Sequence, residues 1–192
     1  MPPKAASSPA AGVPTLLLMC GLPASGKSTF SEQLGTNPAD AARKDPVWLR
    51  VSPDDIGSLD DCKKLIAKQL KRRGSVVLDR CNASHKERQM FVREAKEFAP
   101  VNVEVLFFDV PAATCIARAK ARRQHPTLSP NDAEKVIGQF AATFRPPEHL
   151  KEGPYNEMHR VDENTSQAHL RALLKHYQAV GVEGPRPFAP PS

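Results

Sequence analysis

The stretch LLLMCGLPASGKSTF, residues 16 to 30, most narrows what this chain can fold into. An apolar run of strand length leads into Gly21-Leu-Pro-Ala-Ser-Gly26-Lys27-Ser28 and then into a helix start, the order and spacing of a Walker A loop. Gly21 and Gly26 let the backbone wrap closely, so that successive N–H groups and a helix N-terminus face negative charge, and Lys27 adds a point charge. The Ser28 hydroxyl is of the type that ligates magnesium. Gly21, Ala24, Ser25, Gly26, Lys27, Ser28 and Thr29 are therefore the expected nucleotide-binding set. A chance glycine turn between a strand and a helix is the competing reading, and it does not account for the full pattern in its strand-loop-helix context.

Strands and helices alternate beyond this point. Leu16 to Cys20 reads as the first strand, VWLRV at 47 to 51 as the second, and VVLD at 76 to 79, VEVLFFDV at 103 to 110 and MHRV at 158 to 161 as three more. Near-continuous apolar runs of this kind suit a buried parallel sheet. Between them, residues 60 to 73 carry Cys62, Leu65, Ile66 and Leu70 on one helical face and a solvated basic face opposite, with Gly74 as the stop. Ser84-His-Lys-Glu87 is a capping box opening the next helix, Ser129-Pro130 reads as the opening of another, and the last is expected from about Thr165 to Ala179. The expected fold is α/β, a doubly wound parallel sheet flanked by helices with the phosphate loop after its first strand, over residues 15 to 180. Residues 1 to 14 and 181 to 192, rich in Pro with Ala and Ser or with Gly, read as tails or linkers. They fit either plain terminal disorder or one module of a longer protein.

A Walker loop does not by itself separate kinases from GTPases or motor ATPases. The chain has no Asn-Lys-x-Asp guanine-reading motif, which disfavours a GTPase of that type. VSPDDIGS, 51 to 58, places two carboxylates after the second strand, on the edge where open sheets bind ligands. A hydroxyl acceptor needs a positioned base, and Asp54 is the candidate, with Asp55 as the alternative or as a substrate contact. Helix N-capping is the competing role for both. VVLDRCN, 76 to 82, ends another strand in Asp79, Arg80 and Asn82: the carboxylate is suited to magnesium, and Arg80 and Asn82 to an acceptor phosphate or sugar, against a plain structural turn. CIARAKARRQH, 115 to 125, sets Arg118 and Arg122 four apart on one helical face. Arg122 is expected to stabilise the transferring phosphoryl group from a lid, and Arg118 to lie nearer the adenine or the leaving phosphates, against a merely solvated basic helix.

The formal charge of +6 and the isoelectric point near 9.3 favour an acidic partner such as nucleic acid or a phosphorylated substrate. Cys20, Cys62, Cys81 and Cys115 form no Cys-x-x-Cys pair, so they suggest neither a zinc site nor a disulfide framework, and a reducing intracellular compartment is expected. The apolar runs are of strand length, so neither a signal peptide nor a membrane span is expected. The six histidines show no metal-ligand spacing and read as surface or capping groups, with His85 close to the expected acceptor side.

Taken together, GLPASGKSTF, VSPDDIGS, VVLDRCNASHKER and ARAKARR resemble the 5'-polynucleotide kinase family, most closely the kinase module fused to aprataxin-type repair proteins in plants. FRPPEHLKEG, 144 to 153, is similar to a Phe-x-x-Pro segment that follows the lid helices of that family. The resemblance spans nearly all of residues 15 to 162 and implies an α/β P-loop kinase, a parallel sheet flanked by helices with a basic lid. It implies ATP as donor, Mg2+ as cofactor and the 5'-hydroxyl of a DNA or RNA end as acceptor, in a nuclear or cytoplasmic setting of nucleic-acid repair. By position it implies Lys27 and Ser28 as phosphate and metal ligands, Asp54 as general base and Arg122 as lid arginine. Ser52-Pro53 stands where many members carry an Asn-containing pair. A small-molecule or zeta-toxin-like kinase, and a module that binds nucleic-acid ends without turning them over, are the alternatives.

Overall fold

In a computed structural model, which describes residues 12–38, 46–98, 100–121, 128–148, 155–184 and 186–190, the chain folds around β1 (Thr15–Gly21), a strand buried along its whole length. It is the middle strand of a five-stranded sheet in which β2 (Trp48–Val51), β3 (Ser75–Leu78), β4 (Asn102–Asp109) and β5 (Glu157–Asp162) take the order β2-β3-β1-β4-β5. All four pairings are parallel. Parallel strands need crossovers, and helices supply them. These are α1 (Lys27–Leu34), the single turn α2 (Pro53–Ile56), α3 (Leu59–Lys71), α4 (His85–Lys96), α5 (Ala112–Ala121) and α6 (Ala133–Thr143), while α7 (Gln167–Glu183) follows the last strand and packs back on the sheet.

Period-two alternation sends successive side chains of β1 to opposite layers. Leu16, Leu18 and Cys20 join Ile66 and Leu70 of α3 and Phe91 and Val92 of α4 in one core. Leu17 and Met19 join Phe30 and Leu34 of α1 and Leu173, Tyr177 and Val180 of α7 in the other. The helix that follows β1 and the helices around β3 thus lie on opposite faces, although β1 and β3 are neighbours. This divergence opens a crevice at the carboxyl ends of the two strands, the place where open α/β sheets bind ligands. A third, smaller core joins Leu22 of the glycine loop to Cys115 and Ala119 of α5 and Ala133 and Ile137 of α6, fixing this helical pair over the loop.

The local signals act as their chemistry requires. The Ser84 hydroxyl accepts from Glu87 N at 3.3 Å while Glu87 Oε2 accepts from Ser84 N at 3.1 Å, the reciprocal capping box. Two elements differ from expectation. Helix α6 starts at Ala133 rather than at Ser129-Pro130, because the Ser129 hydroxyl accepts from Asn131 N at 3.2 Å and Asp132 N donates to Ser129 O, forming a turn first. Helix α7 continues past Ala179 to Glu183. Gly181 is a helix residue here because α7 passes against Trp48: a Cβ at that position would lie 2.4 Å from Trp48 Nε1, which donates to Tyr177 O at 2.9 Å. No described helix is long and apolar enough to cross a membrane.

Candidate functional site

The loop between β1 and α1 has the backbone its glycines allow. Gly21 has φ +142°, and a Cβ there would come within 2.6 Å of Phe108 O, so only glycine lets β1 end this close to β4. Gly26, φ +113°, precedes α1 in the left-handed region, and Ala24 holds φ +62° without being glycine, a conformation that stores strain in the loop. Lys27 is buried, and its Nζ donates to Leu22 O at 2.6 Å and Ser25 Oγ at 3.3 Å across the turn. Ser28 and Thr29 are exposed at the start of α1.

Asp79, one residue beyond β3 and 5% exposed, meets this loop from the neighbouring strand: Ser28 Oγ donates to its Oδ1 at 3.2 Å. Its other oxygen accepts from Arg50 of β2, from Nη2 at 2.6 Å and Nε at 3.1 Å. Arg50 also donates through Nε to Ser31 Oγ at 3.2 Å, through Nη1 to Asn37 Oδ1 at 3.1 Å, and through Nη1 to the Asp55 carboxylate. Burial alone would lower the pKa of this guanidinium, but the charge and hydrogen bonds of Asp79 and Asp55 raise it above its ordinary value. Asp79 is thus oriented on both sides, by a buried cation and by the loop hydroxyl. Arg50→Met should therefore destabilise the fold by roughly 3–5 kcal/mol, the cost of leaving a buried carboxylate without its cation, read from the urea midpoint.

The adjacent aspartates of α2 have separate surroundings. Asp54 lines the crevice with Lys27, Ser28 and Asp79, whereas Asp55 is turned to Arg50. The Ser52 side chain makes no capping bond, and Pro53 takes the first helical position.

The turn after Asp79 is tied to β1. Gly21 N donates to Cys81 O at 3.1 Å, and Asn82 Nδ2 donates to Met19 O at 2.7 Å. Asn82 adopts φ +44°, and its own carbonyl accepts from Arg88 Nη1 at 2.7 Å and Cys20 Sγ at 3.4 Å. Much of what Asn82 does is structural, although it lines the crevice and its buried Oδ1 has no hydrogen-bond partner among the described residues. Arg80 pairs through Nη2 with Glu87 Oε1 at 2.8 Å, while its buried Nη1 has no such partner. Burial pushes the Cys81 thiol up, against the opposing charge of Lys27, so it stays protonated at neutral pH.

Two clefts meet at the glycine loop. One, of about 340 Å³, runs from Lys27 and Ser28 past Asp54, Asp79 and Arg80 to an apolar wall of Leu128, Val136 and Phe140. The other, of about 360 Å³, lies between the loop, Phe108, Val110 and α7, and includes Arg118. Ala24, Gly26 and Thr29 line both. Arg118 Nη1 donates to Ser25 O at 3.1 Å, which places it on the loop backbone. Arg122, the expected lid arginine, lies outside the described residues.

Sequence reasoning missed Arg50, Glu87 as the holder of Arg80, and the apolar wall on α6. A signal for Arg50 existed: a cation inside VWLRV, read as a buried strand, must have a partner.

Residues 16–147 match an AAA domain family, AAA_33. Over 115 residues, 57% of this chain, the sequence is 31% identical to the transcription factor bHLH140 of Arabidopsis thaliana, of which it spans only 12%. The fold is similar to that of a fungal RNA kinase, with a TM-score of 0.64 at 14% identity over 88% of this chain and 87% of that one. It is similar to Chaetomium thermophilum Kti12 in complex with ADP-AlF3, TM-score 0.58 at 17% identity, over 83% of this chain and 95% of that one. It also resembles a gluconokinase from Sinorhizobium meliloti 1021, TM-score 0.53 at 16% identity, over 88% and 91% of the two chains. A glycine loop after the first strand of a parallel sheet and a matched span of more than two thirds of its length show that the chain belongs to the AAA domain family of P-loop proteins and has the α/β fold of a P-loop kinase.

Proposed function

We propose that this domain transfers the γ-phosphate of ATP to the 5'-hydroxyl of a nucleic-acid end, in the repair of such ends. The observation that carries the reading is the pair of clefts sharing the glycine loop, because a kinase must bring donor and acceptor to one phosphate from opposite sides. The cleft beside Arg118 and α7 takes the nucleoside of ATP, and the cleft holding Asp54 and Arg80 takes the acceptor.

The donor set suits a nucleoside triphosphate with magnesium: a loop closed to side chains at Gly21, and a hydroxyl and a carboxylate within 3.2 Å of each other. Ser28 and Asp79 would hold the ion, which neutralises charge on the phosphate oxygens when bound. Lys27 supplies positive charge to the β and γ phosphates. Asp54 accepts the proton of the 5'-hydroxyl as its oxygen bonds to the γ-phosphorus and the bond to the β–γ bridging oxygen breaks, releasing ADP. Arg80, which lines the acceptor cleft, binds the first phosphate of the acceptor strand, and Glu87 holds it there. Arg122, the next residue in sequence after α5, offsets charge in the transition state.

The fungal RNA kinase is named for an RNA substrate, which supports a polynucleotide acceptor; the gluconokinase is named for a sugar acid, and its likeness makes a small polar acceptor the second reading. Salt dependence separates them. A strand lying along Arg80 and other basic residues releases condensed counterions, so log affinity should fall with log salt by about 0.7 per neutralised phosphate. A 5'-hydroxyl oligonucleotide should be phosphorylated with this slope at three salt concentrations, and Arg80→Ala should flatten it without changing ATP affinity. Equal efficiency for a nucleoside and the oligonucleotide, with no slope, would assign the domain to a small-molecule acceptor.

A further inference from the structure

A second cluster of ligand-type side chains lies far from the glycine loop. Glu104 and Glu157 are register partners on β4 and β5, toward the amino-terminal half of the sheet. The loop end of β1 pairs with Phe108, four residues further along β4, so the cluster sits roughly 13 Å down the strand from it. His159 follows Glu157 on the same face of β5, and His176 reaches the group from α7. Among the described residues, these four offer one ligand atom each within 4.8 Å of one another.

The group is buried and its hydrogen bonding is incomplete. Glu104 is 1% exposed and His176 7%. Asn102 Nδ2 donates to Glu104 Oε1 and the Tyr177 hydroxyl faces the Glu104 carboxylate, while His176 Nε2 is buried without a hydrogen-bond partner among the described residues. His159 Nε2 pairs with Glu157 Oε2 at 3.0 Å. The ring of Phe188 covers the cluster, 5.3 Å from the imidazole centroids of both His159 and His176. Two carboxylates side by side in an apolar layer are costly unless a cation joins them.

We propose that Glu104, Glu157, His159 and His176 form a structural zinc site that fastens β5 and α7 to β4. Two carboxylates and two neutral imidazoles neutralise a divalent ion, and four ligands suit the closed tetrahedral geometry of structural zinc. Ligand atoms around zinc stand about 3.3 Å apart, so the cluster closes onto the ion by small side-chain rotations. Imidazole favours zinc over magnesium, so the magnesium proposed for the donor site does not compete. His176 is 7% exposed and the His159 side chain 16%, so these two are not the surface groups expected from the sequence, because β5 and α7 pack them against each other. His125 and His149 lie outside the described residues. The zinc proposal does not depend on the acceptor chosen above.

The test uses the full chain, stripped with chelator, desalted and dialysed against Zn2+. Elemental analysis should find one zinc per chain. The thermal midpoint should rise by roughly 5–10 °C at a hundredfold excess of free zinc over its dissociation constant. Co2+ in place of zinc should give the intense visible bands of a four-coordinate ion. Glu157→Gln, at a half-buried position, should keep the far-UV circular dichroism and ATP affinity while weakening zinc at least tenfold, and His159→Gln should abolish the cobalt bands. Zinc retained equally by both variants, or cobalt spectra with thiolate charge-transfer absorption, would place the ion at the cysteines or elsewhere and overturn the proposal. No zinc above the dialysis blank would overturn it too, leaving the hydrogen bonds of Asn102 and Tyr177 to Glu104 as the account of the cluster.

Discussion

Lys27→Ala is expected to lower phosphoryl transfer by on the order of 10³-fold or more, with weaker ATP binding, because removing one preorganised donor at a developing charge costs this much. The ammonium is the buried cation of the loop, and its present acceptors, Leu22 O and Ser25 Oγ, lie within the turn itself. The fold should survive, since the carbonyl and hydroxyl left behind belong to a loop beside an open cleft where water can reach them. Single-turnover assays with labelled ATP, together with circular dichroism of the variant, check both halves. Turnover within tenfold of the parent in a folded Lys27→Ala protein would remove the loop from the reaction.

The contrast between neighbouring aspartates is nearly as large. Asp54→Asn should lower kcat by about 100-fold or more and leave ATP affinity unchanged, the scale of a general base acting on the acceptor alone. Asp55→Asn should leave most of kcat and cost stability instead, by about 1 kcal/mol or less, because it weakens an ion pair to Arg50 whose carboxylate is half exposed. Steady-state kinetics and urea midpoints on the two variants decide the matter. A selective kcat loss in Asp55→Asn, with Asp54→Asn close to the parent, would transfer the base to Asp55.

Much of the fold is legible before any coordinates, and the reason is local. The strands are short apolar runs bounded by turn residues, Ser84 and Glu87 cap a helix through their own backbone, and Gly21 and Gly26 stand where φ must be positive. Each of these signals acts within a few residues, so the chain carries it in order. The same holds for the Walker pattern, whose residues are consecutive. Element boundaries are less legible where distant neighbours intervene: Gly181 reads as a linker glycine until Trp48 is seen occupying the space its side chain would need. The lid is legible only as sequence, since Arg122 falls outside the described residues.

The sequence alone determined that a phosphate-binding loop follows the first strand of a parallel sheet, and that Asp54, Asp55 and Asp79 lie at strand ends on the same edge. Only the tertiary structure decided how those carboxylates divide. The order β2-β3-β1 brings Arg50 beside Asp79 and draws Asp55 to it, while Asp54 faces the crevice. The same holds at the other end of the sheet, where β4, β5 and α7 gather Glu104, Glu157, His159 and His176 from separate parts of the chain. The physical reason is one of range. Backbone conformation and capping act between residues a few positions apart, whereas ion pairing and ligand geometry act through space, so the partner of a buried charge is known only once the strand order has placed it.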